Sequence, residues 1–321
     1  MKKIILTLSL TLATLGANAQ FLFRISGNNL KEPSYILGSV HVLSGSLLDS
    51  IPAYLEAEAK CRQLYAEYDI SNQQKMNDAL VAGQQAITLP DGKTIFDVMD
   101  KEQIDLLNTR FKETFQVNVT DSLMKAVWNY QPAVFINAFN LAFSMEAIQQ
   151  YPEMGMSSTP IDLVCINRAK ERGMTFGPLD EILPQDSLAK VRDTMNQNLS
   201  VQRDSLMNFL REFEQRKQMA INEVESVAIS IKYWKEADYD SYAASPYLIS
   251  VVDKQPGMFR SRNEKWLPKL QAAMVEAPTM FVFGAGHLIG DYGILQLLRD
   301  TGYIVEQVPV KGIHVQNRDS L

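Results

Sequence analysis

Cysteine is nearly absent from the 321-residue chain: Cys61 and Cys165 are the only two. There is therefore no CxxC pair and no thiolate cluster for a structural metal or a redox dithiol. Histidine is equally sparse at three residues, so imidazole chemistry has few places to reside. Excess positive charge is missing too. The 31 basic residues face 37 acidic ones, a formal net charge of -6, which argues against nucleic acid or an anionic membrane surface as partner. Beyond the N-terminus no run reaches the ~18 apolar residues of a membrane helix. With 46% hydrophobic residues, 16 Gly and 13 Pro, the composition is ordinary for a globular protein and excludes collagen-like or wholly disordered chains.

What is present begins with residues 1–19, which read as a signal peptide. Lys2 and Lys3 form a basic n-region, Ile4 to Gly16 an apolar h-region, and Ala17-Asn18-Ala19 fits the A-x-A cleavage rule. The mature protein would start at Gln20, with no Cys at that point for a lipid anchor, and would be periplasmic or secreted. Export permits one disulfide between Cys61 and Cys165. Their apolar neighbours favour two buried thiols instead.

Residues 20–321 read as a single domain. Phe21 to Ile25 and Ser34 to Gly38, joined across Gly27-Asn28-Asn29, predict a β-hairpin. Ser50 with Pro52 predicts a helix start, running to Lys60, and Gln63 to Tyr68 predicts a strand. From 72 to 150 the pattern is mostly helical. Asp100 caps a helix with Ile104, Leu107 and Phe111 on one face, and a longer helix from Pro132 carries Phe135, Phe139 and Phe143 as a core stripe. Pro160 to Arg172 reads as a helix stopped by Gly173, followed by a strand at Met174 to Gly177. Residues 186–245 read as a helical insert with a solvated face, built on Leu206, Leu210 and Phe213. Thr279 to Phe283 and Tyr303 to Val308 are strands around a helix. Alternating strands and helices predict an α/β fold with a largely parallel central sheet flanked by helices.

The two ends of that pattern repeat each other. Tyr35-Ile36-Leu37-Gly38-Ser39-Val40-His41 leads into a helix and then a strand with Glu67. Phe281-Val282-Phe283-Gly284-Ala285-Gly286-His287 leads into a helix and then a strand with Glu306. Two of the three histidines thus occupy one slot in duplicated strand–GxxH–helix–strand units. Ligands of open α/β sheets bind beyond the carboxyl ends of the strands, where each Gly lets the chain turn and each His projects into the crevice. Two imidazoles with the Glu67 carboxylate suit a divalent metal with an open position for water, and hence amide or ester hydrolysis. Arg262 and Asn263, read as lying in a loop entering a helix, are candidates for holding substrate. Asp162, Asp180 and Glu181 could extend the shell of the site. Glu306 reads as a solvated strand carboxylate and His314 as surface. There is no Gly-x-Ser-x-Gly elbow, which disfavours a serine hydrolase.

The ordered set Leu37-Gly38-Ser39-Val40-His41, Glu67, Leu89-Pro90-Asp91-Gly92-Lys93-Thr94, Ile161-Asp162, Leu179-Asp180-Glu181, Arg262-Asn263 and Gly284-Ala285-Gly286-His287-Leu288-Ile289-Gly290 resembles the TraB/GumN/PrgY family, which includes the Tiki metalloproteases. Leu179-Asp180-Glu181 departs from the more usual Leu-Glu-Thr. The resemblance implies a fold like that of the erythromycin esterase and ChaN-like proteins. It places His41, His287 and Glu67 at the active site. It further implies a manganese- or cobalt-supported peptidase acting on a peptide or protein substrate, with haem or iron binding without turnover, or metal-free ester hydrolysis, as the rival activities.

Overall fold

The computed structural model describes residues 18–151, 159–181 and 199–309. Residues 1–17, most of the expected signal peptide, lie outside that range, as do 186–198 of the expected insert and His314.

One mixed sheet of six strands holds the main core: β1 (Asn18–Gly27), β2 (Ser34–Ser39), β3 (Gln63–Ala66), β4 (Thr175–Pro178), β5 (Thr279–Gly284) and β6 (Tyr303–Pro309), in the order β4-β3-β5-β2-β1-β6. β2, β3, β4 and β5 run parallel. β1 is antiparallel to both its neighbours, with Leu22 opposite Leu37 and Arg24 opposite Glu306. The sheet is therefore parallel over four strands, and the hairpin adds the antiparallel pair at one side. Side-chain burial follows position. All six residues of β2 are buried, as befits a strand covered on both faces. The edge strand β6 alternates, Tyr303 and Val305 in, Ile304 and Glu306 out. The β1–β2 turn is made possible by Gly27, Asn28 and Asn29, all at positive φ, where Gly and Asn are tolerated best.

Helices α1 (Pro52–Lys60) and α6 (Ile161–Glu171) belong to the sheet half. α1 is entered through a 3-10 turn, Gly45–Ser50, so Ile51 rather than Ser50 sits at the N-cap. A second core is built mainly from helices. It joins α3 (Ile95–Val98), α4 (Lys101–Phe115) and α5 (Pro132–Ile148) to α7 (Leu199–Arg211) and the start of α8 (Phe213–Lys235). The Phe135, Phe139 and Phe143 stripe is buried there, Phe139 and Phe143 packing on Phe209 and Phe213. α7 and the start of α8, both within the expected insert, therefore share one core with the 95–143 segment, whereas the rest of α8 packs into the main core. α8 also ties this lobe to the sheet. Trp234, fully buried near its end, donates its Nε1–H to the Gly38 carbonyl at 2.8 Å.

Both thiols are free and buried. Cys61 donates to the Ala57 carbonyl at 3.3 Å, and Cys165 shares a hydrogen bond with the Tyr54 hydroxyl at 3.2 Å. Burial pushes the Cys61 thiol up to about 12 and raises Cys165 as well. Since the thiolate is the reactive form, neither thiol is expected to react with a disulfide reagent in the native protein, and both should react in denaturant. Titration before and after unfolding checks this.

Candidate functional site

β3, β5 and β2 are adjacent and parallel, so their carboxyl ends fall along one sheet edge. Each ends in a site residue. His41 lies two residues beyond β2, Glu67 follows β3 directly, and His287 sits in a 3-10 turn, Ala285–Leu288, after β5. Facing that edge is α11 (Arg260–Glu276). Arg262 and Asn263 belong to its first turn, not to a loop before it. Tight backbone geometry closes the arrangement. A Cβ placed on Gly284 would stand 3.0 Å from His41 Nε2 and 3.7 Å from Glu67 Oε2.

Glu67 is the hub. Its Oε1 accepts from Arg262 Nη2 at 2.7 Å and lies 3.9 Å from His287 Nε2. Its Oε2 is 3.7 Å from His41 Nε2 and accepts from the Gly284 N–H at 3.3 Å. The Arg262 guanidinium is fixed from the other side by Asp180 Oδ2 at 2.8 Å, and Asp180 Oδ1 accepts from Lys265 at 2.8 Å. Burial would raise the Asp180 pKa, but the Lys265 and Arg262 hydrogen bonds outweigh it and hold the carboxyl below its usual range. Arg262 also lies over the rings of Trp266 and Tyr68, at 4.6 and 5.0 Å.

The two histidines are held alike but sit in opposite surroundings. His287 is 3% exposed, with its ring centroid 4.4 Å from that of Trp266. The Asn263 amide donates to the carbonyls of His287 and Tyr292 at 3.1 and 2.8 Å, which turns its oxygen toward His287 Nδ1 at 2.6 Å. Nδ1 therefore carries the proton and Nε2 presents a lone pair. Burial first, and the Arg262 charge next, lower the pKa to about 3, so the ring is neutral at physiological pH. His41 is 57% exposed. It donates from Nδ1 to Asp162 Oδ2 at 2.9 Å, while Asp162 Oδ1 accepts from the Ser39 hydroxyl at 2.9 Å. The Asp162 hydrogen bond raises the His41 pKa against the opposing effect of burial, and the Asp162 and Glu67 charges add to it.

The sheet edge thus brings together His41, Glu67, His287, Arg262, Asn263, Asp162 and Asp180. Glu181 instead pairs with Lys75 on the surface, and Glu306 pairs with Arg24. Lys265 and the Ser39 hydroxyl were not singled out from sequence. Lys265 stands three residues after Arg262, one helical turn on the same face, and that spacing was the available signal.

In its donor chemistry the set fits a borderline divalent ion. Two imidazole Nε2 atoms converge on one carboxylate, each ring with its Nδ1–H held by an acceptor, as in ligating histidines. The glycine at 284 leaves open the space that a Cβ would fill. The spacing, however, is looser than in a closed metal centre, and among the described residues no group of three or more His, Cys, Asp and Glu has that arrangement. Gly284→Ala is expected to leave the fold intact but displace His41 and Glu67. Ligand binding or turnover at the site should fall at least about tenfold, with thermal unfolding as the control.

A sheet edge carrying two Gly-x-x-His histidines around one carboxylate defines an α/β protein with a paired-histidine pocket. The profile of the TraB/PrgY/gumN family matches residues 21–307, and the chain belongs to that family. Neither the curated proteins nor the solved structures hold a significant match.

Proposed function

We propose that the protein is an exported metal-dependent hydrolase that cleaves peptide amides. One observation carries this reading: the Nε2 atoms of His41 and His287 both lie beside the Glu67 carboxylate, at 3.7 and 3.9 Å. His41 Nε2, His287 Nε2 and Glu67 Oε2 would hold a divalent ion, manganese or cobalt. When bound, the ion supplies Lewis acidity toward the scissile carbonyl. The chain's own groups do the rest. Glu67 would serve a bound ion as a third donor, and its carboxylate is the proton acceptor for the attacking water. Arg262 keeps Glu67 aimed at the two histidines. Asn263 and Asp162 engage the two Nδ1 atoms, which turns both Nε2 atoms toward Glu67. With their hydrogen bonds committed in this way, Arg262 and Asn263 order the site rather than touch substrate.

The test is incubation of the protein from Gln20 onward with a mixed peptide library, with manganese, with chelator, and as His287→Ala. Cleavage that needs both the metal and His287 is expected. No cleavage in any condition, with haem or iron bound through His41, would overturn hydrolysis in favour of binding. A metal-free esterase rests on one observation, the Arg262 guanidinium already 3.5 Å from His287 Nε2. Chelator-resistant ester cleavage would select it.

A further inference from the structure

The cavity at the histidines has a volume of about 410 Å³, within the range of pockets that enclose small ligands. Among the described residues its only charged or titratable lining groups besides the Tyr242 hydroxyl are His41, Glu67 and His287, which cluster at Glu67. The remaining wall is mainly apolar. Leu248, Val251 and Val252 line it from one face of α10 (Pro246–Lys254), spaced i, i+3, i+4. Val227 lines it from α8, with Phe259 and Ile289 alongside. No residue of α10 is fully buried, although Leu248 and Val252 touch the main core. This apolar helix face therefore remains half open beside reactive groups.

We propose that this cavity is the specificity pocket of the site and takes a large aliphatic or aromatic side chain of the substrate, next to the amide to be cleaved. The proposal rests on the hydrolase reading and names the substrate class within it. Three features select this occupant. The pocket is continuous with the histidines, so whatever fills it also positions the neighbouring carbonyl. Its volume admits a large side chain, whereas Ala would leave it nearly empty. Away from Glu67 it offers no counter-ion, so a charged side chain would be desolvated without a partner.

The test uses blocked peptides that differ only at the residue preceding the cleaved bond: Leu, Phe, Ala, Glu or Lys. With manganese present, kcat/KM is expected to fall at least about tenfold from Leu to Ala, since a single methylene in an apolar pocket is worth about 10- to 200-fold. The Glu and Lys peptides should fall further. Val251→Arg, at a half-exposed helix position that tolerates charge, should lower cleavage of the Leu peptide at least about tenfold and raise that of the Glu peptide above wild type. A reading independent of turnover comes from methyl NMR of Leu248, Val251 and Val252, titrated with acetyl-Ala-Leu-Ala-amide and acetyl-Ala-Glu-Ala-amide. Shifts with the first peptide and none with the second support the pocket even if nothing is cleaved, in which case the hydrolase reading alone falls. Cleavage indifferent to that residue and unaltered by Val251→Arg overturns the pocket and leaves the hydrolase standing. No cleavage and no methyl shifts overturn both.

Discussion

Glu67→Gln is expected to lower metal-stimulated peptide cleavage by about 10²- to 10⁴-fold, the usual contribution of a positioned proton acceptor. The substitution keeps the shape of a side chain that is 11% exposed and removes only its charge. Arg262 loses one of two carboxylate partners but retains Asp180, itself paired with Lys265, so the first turn of α11 should stay in place. Far-UV circular dichroism and the urea midpoint should therefore move little while kcat collapses. Glu67→Asp keeps the charge but withdraws it by one methylene, and should fall between. Full activity in Glu67→Gln would remove the proton-accepting role from this residue.

Trp234→Ala should produce the largest loss of stability, about 3–5 kcal/mol, as expected for emptying the site of a fully buried tryptophan. The same ring carries the hydrogen bond to the Gly38 carbonyl. Trp234→Phe fills most of the space but loses that bond, and should cost about 1 kcal/mol. Urea unfolding followed for both variants separates the two contributions, with the slope of the transition expected to stay constant. Because Gly38 stands three residues before His41, Trp234→Ala is also expected to lower activity in the fraction that remains folded. A variant as stable as wild type would mean that the helical lobe is not anchored through Trp234.

The strands that carry the site were legible because their signals are local. Phe281-Val282-Phe283 and Tyr35-Ile36-Leu37 are short apolar runs bounded by glycine, and the paired Gly-x-x-His segments announced themselves by repetition. The buried Phe stripe of α5 and the Asp100 cap of α4 were readable for the same reason. The start of α11 was not. Phe259 at its N-cap offers no capping side chain, Pro256-Gly257 reads as a loop, and Pro268 lies inside the helix, so local rules argued against a helix where packing imposes one. Ser50 failed in the opposite sense, being a favourable cap residue placed inside a 3-10 turn.

Long-range partnership was the other illegible layer. Asp162 meets His41 across 121 residues and Asp180 meets Arg262 across 82. Nothing in the spacing of either pair distinguishes it from a surface carboxylate and a surface base. The two helical stretches that share the Phe core are likewise separated by α6 and β4, which return to the sheet between them, so no local pattern shows that they pack on each other.

The position of β5 bears on how the chain is made. This strand lies between β3 and β2, pairing Tyr65 with Phe281 on one side and Leu37 with Val282 on the other. Before residues 279–284 exist, β2 and β3 have no backbone contact, and the sheet is two fragments with an empty slot. At synthesis rates of about 5–20 residues per second, β2 waits on the order of tens of seconds for its neighbour. Such distant pairing also slows the closing step once all parts are present. The nascent polypeptide thus stays unable to complete its sheet until residues 279–284 have been made, and the edges of β2 and β3 that β5 will cover stay open until it inserts.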